Sequence, residues 1–227
     1  MRGYRVREHR VVNSDREERS TLELDEDGEA VGIRVVEARQ PGQSFARARL
    51  VDVELVRCDL SGCDFSETVW QRVQLVDCRA SALELPQSNL RDVAFHDCKL
   101  DDANLRLAQL HRIRFDGSAL AGAEFTGGRL EEIVLVGCDL TGADFSNARC
   151  AVVDLRGARL DGLRGISALS GATIGAEQLV GLAPALAQAL GLHIRADDEE
   201  LAPGPASTAP GRRSPDRAPT DHRPETR

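Results

Sequence analysis

Cys138–Asn147 reads CDLTGADFSN, and Cys58–Glu67 reads CDLSGCDFSE. In both, a small residue, an acid and a large apolar residue recur every five positions, with polar or small residues between. Extending this frame in both directions gives 24 consecutive centres from Phe45 to Leu160. Of these, 21 are Leu or Phe; the exceptions are Trp70, Ala80 and Cys150. All six Phe of the chain fall in the frame. Neither the 3.6-residue period of a helix nor the two-residue period of a strand generates such a series. A chain with two inward positions in five, the centre and the residue two before it, turns steadily about an axis and buries a thin stripe. Only stacked coils can cover that stripe.

A second period counts the sides of a coil. Two residues before the centres, Val53, Val73, Val93, Ile113, Ile133 and Val153 recur every 20 residues, all β-branched. Cys58, Cys78, Cys98, Ser118, Cys138 and Ala158 form another such column, and Ala48, Thr68, Ser88, Ala108, Gly128 and Ala148 a third. A coil is therefore four pentads, and 24 centres make six coils. At about 4.8 Å per coil the rod is about 29 Å long. Each buried Leu or Phe contributes about 1.5–3 kcal/mol before entropy, so two dozen centres make a core although aromatics are only 4% of the chain.

The pentads CDLSG, CDFSE, ANLRL, AEFTG, CDLTG and ADFSN resemble the pentapeptide-repeat family over about residues 33–165. That resemblance implies an all-β solenoid, a right-handed quadrilateral β-helix, and the 20-residue period supports it independently. Trp70, Ala80 and Cys150 at centres and Leu83 at a usually small position depart from the pattern, predicting local bulging near Trp70 and Leu83. Residues 45–165 are assigned to the β-helix. Residues 1–20 are a charged segment expected to be flexible. Over 21–44 a capping hairpin with Asp27-Gly28 in its turn leads into the first strands, Ile33 and Val35 already matching the β-branched column. Residues 166–195 read as a small C-terminal helical cap, with short helices over about 176–181 and 184–190, Pro184 in a first turn and Gly191 as C-cap. Residues 196–227, with six prolines after Leu201, read as a disordered tail.

Chemistry-bearing residues are sparse in pattern. The cysteine column would stack side chains pointing one way, whereas zinc needs converging ligands; buried packing is the expectation, with no metal and no cofactor. His96 and His111 follow centres and should face outward on different sides. No catalytic constellation is seen, so the chain is not expected to be an enzyme. The outward residue before each centre on one side gives Ser44, Asp64, Glu84, Asn104, Glu124 and Asp144; the neighbouring side gives Arg49, Val69, Asn89, Gln109, Arg129 and Arg149. Asp64, Glu84, Glu124 and Asp144 form a candidate acidic interaction strip. Residues 41–165 hold 19 acids and 15 bases, a net of −4, against roughly 17 charges on a 29 Å length of duplex DNA.

The net charge of −8 argues against direct nucleic acid binding. No signal peptide and no run of membrane-spanning length is seen, so a cytoplasmic protein with reduced cysteines is expected. The cap resembles that of topoisomerase-protecting, fluoroquinolone-resistance pentapeptide-repeat proteins. This implies a non-enzymatic protein that binds a protein partner, DNA gyrase or topoisomerase IV, through DNA mimicry. It also implies a homodimer through Leu179, Val180, Leu182, Leu186 and Leu190, although these could equally form a plain lid. The alternative is a scaffold or adaptor for another bacterial protein.

Overall fold

Five residues make one side of a coil only if something turns the chain sharply at each corner. In the computed structural model, which describes residues 16–192, that residue stands two after every centre. Every fifth position from Gly32 to Gly162 has φ between 51° and 71°. This left-handed conformation is unfavourable for residues with a Cβ, yet 17 of these corner positions are not glycine. The compensation is backbone pairing between coils: the Phe65 N–H donates to the Glu84 carbonyl at 2.7 Å and the Asp64 N–H to the Gln43 carbonyl at 2.9 Å.

The strands are short where a corner interrupts them. β1 (Glu17–Arg19), β2 (Glu29–Val31), β3 (Ile33–Val36), β4 (Arg49–Val51), β5 (Glu54–Val56), β6 (Val69–Gln71) and β7 (Gln74–Val76) each occupy one side. β8 (Asn89–His96), β9 (Gln109–Asp116), β10 (Arg129–Val134) and β11 (Arg149–Asp154) run around a corner onto two. All pair in parallel, and from β2 onward each residue faces the one twenty later: Arg49 opposite Val69, Val93 opposite Ile113, Ile133 opposite Val153. Bridges with the same offset run from Ser44 through Asp64, Glu84, Asn104, Glu124 and Asp144 to Arg164 on the first side, and from Arg39 to Arg159 on the fourth. The second side carries centres Leu50 to Cys150 and the third Leu55 to Leu155. The result is a right-handed quadrilateral β-helix of about seven turns with one small C-terminal helix.

The extra turn lies at the front. Ala30, Val35 and Gln40 occupy centre positions and are buried, but none is Leu or Phe, so the apolar series starts a coil late. A turn closes at Asp25–Gly28, where the Gly28 N–H donates to the Asp25 carbonyl. Residues 21–24 carry no strand, so the hairpin expected over this stretch is not formed. β1, within the segment expected to be flexible, instead pairs in parallel with β3. The assignments for residues 1–15 and for the tail 196–227 lie outside the described residues.

No bulge forms at Trp70 or Leu83. Both are fully buried, and Trp70 stays in register between Leu50 and Leu90. Trp70 and Ala80 stand two sides apart in one coil, so the largest centre faces the smallest across the core and total volume is conserved. The indole packs edge-on against Phe65, with centroids 5.1 Å apart. Elsewhere Phe45 stacks on Phe65, Phe95 on Phe115 and Phe125 on Phe145, at 4.7–4.9 Å. That spacing is the inter-coil distance itself.

One helix, α1 (Leu179–Ala189), replaces the two expected, entered through a 3-10 turn at Ala176–Gln178. Pro184 lies inside it. The carbonyl that proline cannot serve belongs to Val180, which is 83% exposed, so water can take that bond. Gly191, with φ 68°, ends the helix; its N–H donates to Gln188 and that of Leu192 to Ala187, a Schellman closure.

Candidate protein-interaction surface

The acidic residues singled out from the sequence do share one ladder. Asp64, Glu84, Glu124 and Asp144 stand on successive rungs of the first side, with Asn104 between the pairs. Each is already engaged. The Ser66 hydroxyl and N–H donate to Asp64, which also accepts from Ser44 Oγ at 3.1 Å. Asn104 Nδ2 donates to Glu84 at 2.6 Å, Arg106 lies 3.2 Å from Glu124, and Arg164 lies 3.4 Å from Asp144. The Ser66 hydroxyl and amide hold the Asp64 carboxyl below its ordinary range. Burial pushes Asp144 upward, but the Ser146 hydroxyl and amide together with Arg164 leave it low. Both aspartates are thus held ionised at neutral pH, and two of the ladder's four carboxylates are ion-paired within the chain.

Of the five apolar residues named on the cap, only Leu182 turns inward, joining the core at 3% exposure. Leu179, Val180 and Leu186 on α1 and Leu190 at its C-cap face outward, and Leu192 continues that exposed surface. The structure therefore splits the set: Leu182 anchors the lid, and the others form an apolar patch at the end of the rod.

The buried cysteines are stitched into the core. Cys138 Sγ donates to the Phe115 carbonyl at 3.1 Å, and Cys63 Sγ to the Gln40 carbonyl at 2.9 Å. Ser88 Oγ makes the same bond to Phe65 at 2.8 Å. The small polar residue two before a centre thus serves a carbonyl of the coil above. Burial pushes the Cys138 and Cys150 thiols up to about 11, which keeps them protonated and poor nucleophiles. Among the described residues no group of three or more His, Cys, Asp and Glu is placed to hold a metal ion. His96 and His111 lie on different sides, 3.2 Å from Asp116 and 3.5 Å from Glu131.

Two residues that matter to the ends escaped sequence reasoning. Gln40 accepts the Leu22 N–H at 2.7 Å and donates to the Leu22 carbonyl at 3.0 Å, holding that leucine over the first coil. Gln178 donates to the carbonyls of Leu155 and Ala158, both at 2.7 Å, and accepts the Gly175 N–H. Gln40 could have been noticed as a polar residue in an inward frame position; Gln178 lies outside the frame and gave no signal.

Parallel coils with an offset of 20, one left-handed corner per pentad and a helical lid define a pentapeptide-repeat β-solenoid. Family models agree: "Pentapeptide repeat region" matches residues 48–125 and "Pentapeptide repeats (8 copies)" residues 123–162. The chain belongs to the pentapeptide-repeat family. Among solved structures, a trypsin-treated form of QnrB1, a plasmid-mediated fluoroquinolone resistance protein, aligns with TM-score 0.56 and 18% identity over 74% of this chain and 97% of its own. HetL from the cyanobacterium Nostoc sp. strain PCC 7120, involved in heterocyst differentiation regulation, aligns with TM-score 0.46 and 24% identity. That alignment covers 59% of this chain and 62% of HetL. No curated protein sequence matches the chain. Among the described residues no helix is long and apolar enough to cross a membrane.

Proposed function

We propose that this chain is a non-enzymatic, intracellular interaction rod that engages a type II topoisomerase, gyrase or topoisomerase IV, through its first side, as a mimic of a duplex edge, and dimerises through α1. The observation that carries this reading is the ordered acidic ladder, whose carboxylates recur on rungs about 4.8 Å apart beside the apolar end patch of α1. The likeness of fold to QnrB1 adds support, since that protein confers fluoroquinolone resistance. A supercoiling assay with purified protein tests it. Inhibition or drug protection of gyrase is expected at micromolar protein, and the absence of both removes the topoisomerase reading. For the dimer, light scattering should give twice the chain mass, and L186E/L190E should give the single mass.

A specific observation favours a second reading, an adaptor for another protein: Arg106 and Arg164 neutralise half the ladder, leaving it well short of the charge density of DNA. Pull-down with and without residues 201–227 separates the two. A partner lost with the tail supports the adaptor.

A further inference from the structure

The acids of the first side's ladder are all partnered, but on the second side several donors are not. Arg49, Arg91, Arg129 and Arg149 project from it against two carboxylates in its outward columns, Glu29, 3.6 Å from Arg49, and Glu131, 3.1 Å from Arg129. The side chains of Arg91 and Arg149 make no hydrogen bond or ion pair among the described residues, and neither do the side-chain amides of Gln71, Asn89 and Gln109. Two hollows of about 280 and 200 Å³ lie along this side and share Asn89 and Arg91, forming one furrow from Arg49 to Arg129. The Arg91 guanidinium and these amides are donors for carboxylates and peptide carbonyls, and the exposed ion pairs of Arg49 and Arg129 are weak enough for a ligand carboxylate to compete for them.

The spacing selects the ligand. Arg49, Arg91 and Arg129 sit on every second rung, so their charges repeat at about 9.6 Å along the rod. An extended polyproline-type chain rises about 3.1 Å per residue with three residues per turn, presenting every third side chain on one face at about 9.3 Å. We propose that the second side is a docking furrow for an extended acidic peptide of a partner protein, carrying a carboxylate at every third residue. A nucleic acid fits less well. Its longer run of charge would meet the acidic ladder around the corner and the net charge of −8, whereas a short peptide meets only this side. The inference stands independently of any topoisomerase bound by the first side.

The test is fluorescence anisotropy of the full chain with a labelled peptide of four tandem Glu-Pro-Pro triplets at low salt. Saturable binding is expected, with none for the Gln-Pro-Pro counterpart. R91E/R129E, exposed and checked for fold by circular dichroism, should weaken binding by about tenfold or more. R79E, an equal charge reversal per residue on the fourth side, should leave it within about twofold. Equal losses from both variants, binding of the glutamine peptide, or tighter binding of a twelve-nucleotide single strand would each overturn the proposal.

Discussion

At a corner of the last coil, Val152 adopts φ 58° with 58% of its surface exposed. A β-branched residue in the left-handed region is strained, and exposure means that little packing repays it. Val152→Asn should therefore stabilise the protein by about 0.5–1 kcal/mol, since asparagine tolerates this conformation; an unchanged urea midpoint would show that the valine is not strained. Gly165 makes the opposite case. Its φ is 72°, and an added Cβ would stand 2.3 Å from the Ser146 nitrogen, a clash with backbone that cannot move aside. Gly165→Ala should cost about 2 kcal/mol or more. In the core, Ala80→Leu places a large side chain opposite Trp70 and should cost about 1–3 kcal/mol. Adding Trp70→Leu should recover part of that loss, the signature of two residues sharing one volume; purely additive urea unfolding energies would argue that they do not meet.

The first and fourth sides repeat one small device, the acid before a centre accepting the hydroxyl and N–H of the residue two later. Ser61 holds Asp59, Ser66 holds Asp64 and Thr141 holds Asp139 below the ordinary carboxylate range by these two bonds. A folded value depressed below the unfolded one, about 3.9, gives stability that is fully present above that pH and lost as pH falls through the folded value. The urea midpoint should thus decline below about pH 4, and Asp59→Asn with Asp139→Asn should make that decline shallower; an identical acid limb would deny the device any role. The ladders were visible in the sequence, because a 20-residue period forces residues such as Val93 and Ile113 into register, whereas this device, though its residues stand in CDLSG and CDLTG, was not read from them. The corners were not visible: Arg72, Leu107 and Val152 are no one's choice for a left-handed position, and they adopt it because inter-coil hydrogen bonds dictate the backbone. Nor was the first coil, whose centres are Ala30, Val35 and Gln40. The fit of Trp70 needed the knowledge that Ala80 lies across from it, a relation between sides rather than within the frame. The acidic ladder was legible as a column, but its neutralisation by Arg106 and Arg164 depends on side-chain reach. The cap was legible as helical yet misdivided, because the exposed Val180 carbonyl lets α1 run through Pro184.

A rod in which each coil touches only its neighbours has stability that is close to a sum of coil and interface contributions, and its ends are where it opens. The two ends here are closed by chemically similar devices, a buried glutamine bonding backbone that no further coil can pair: Gln40 to Leu22, and Gln178 to Leu155 and Ala158. Removing either side chain leaves buried backbone groups unpaired, which costs about 1–3 kcal/mol. Because roughly six coils at about 4.8 Å each separate the devices, the two losses should add within about 0.5 kcal/mol. Their local effects should differ. Gln178→Leu should speed hydrogen exchange at Leu155 and Thr173, whose amides close the last ladder, while leaving Phe45 and Asp59 protected; Gln40→Leu should do the reverse. The central amides of Phe65 and Leu105 should respond to neither until the whole rod unfolds. Uniform acceleration along the chain from one end substitution would mean that the coils open as a single unit, and the additive description of the rod would have to be given up.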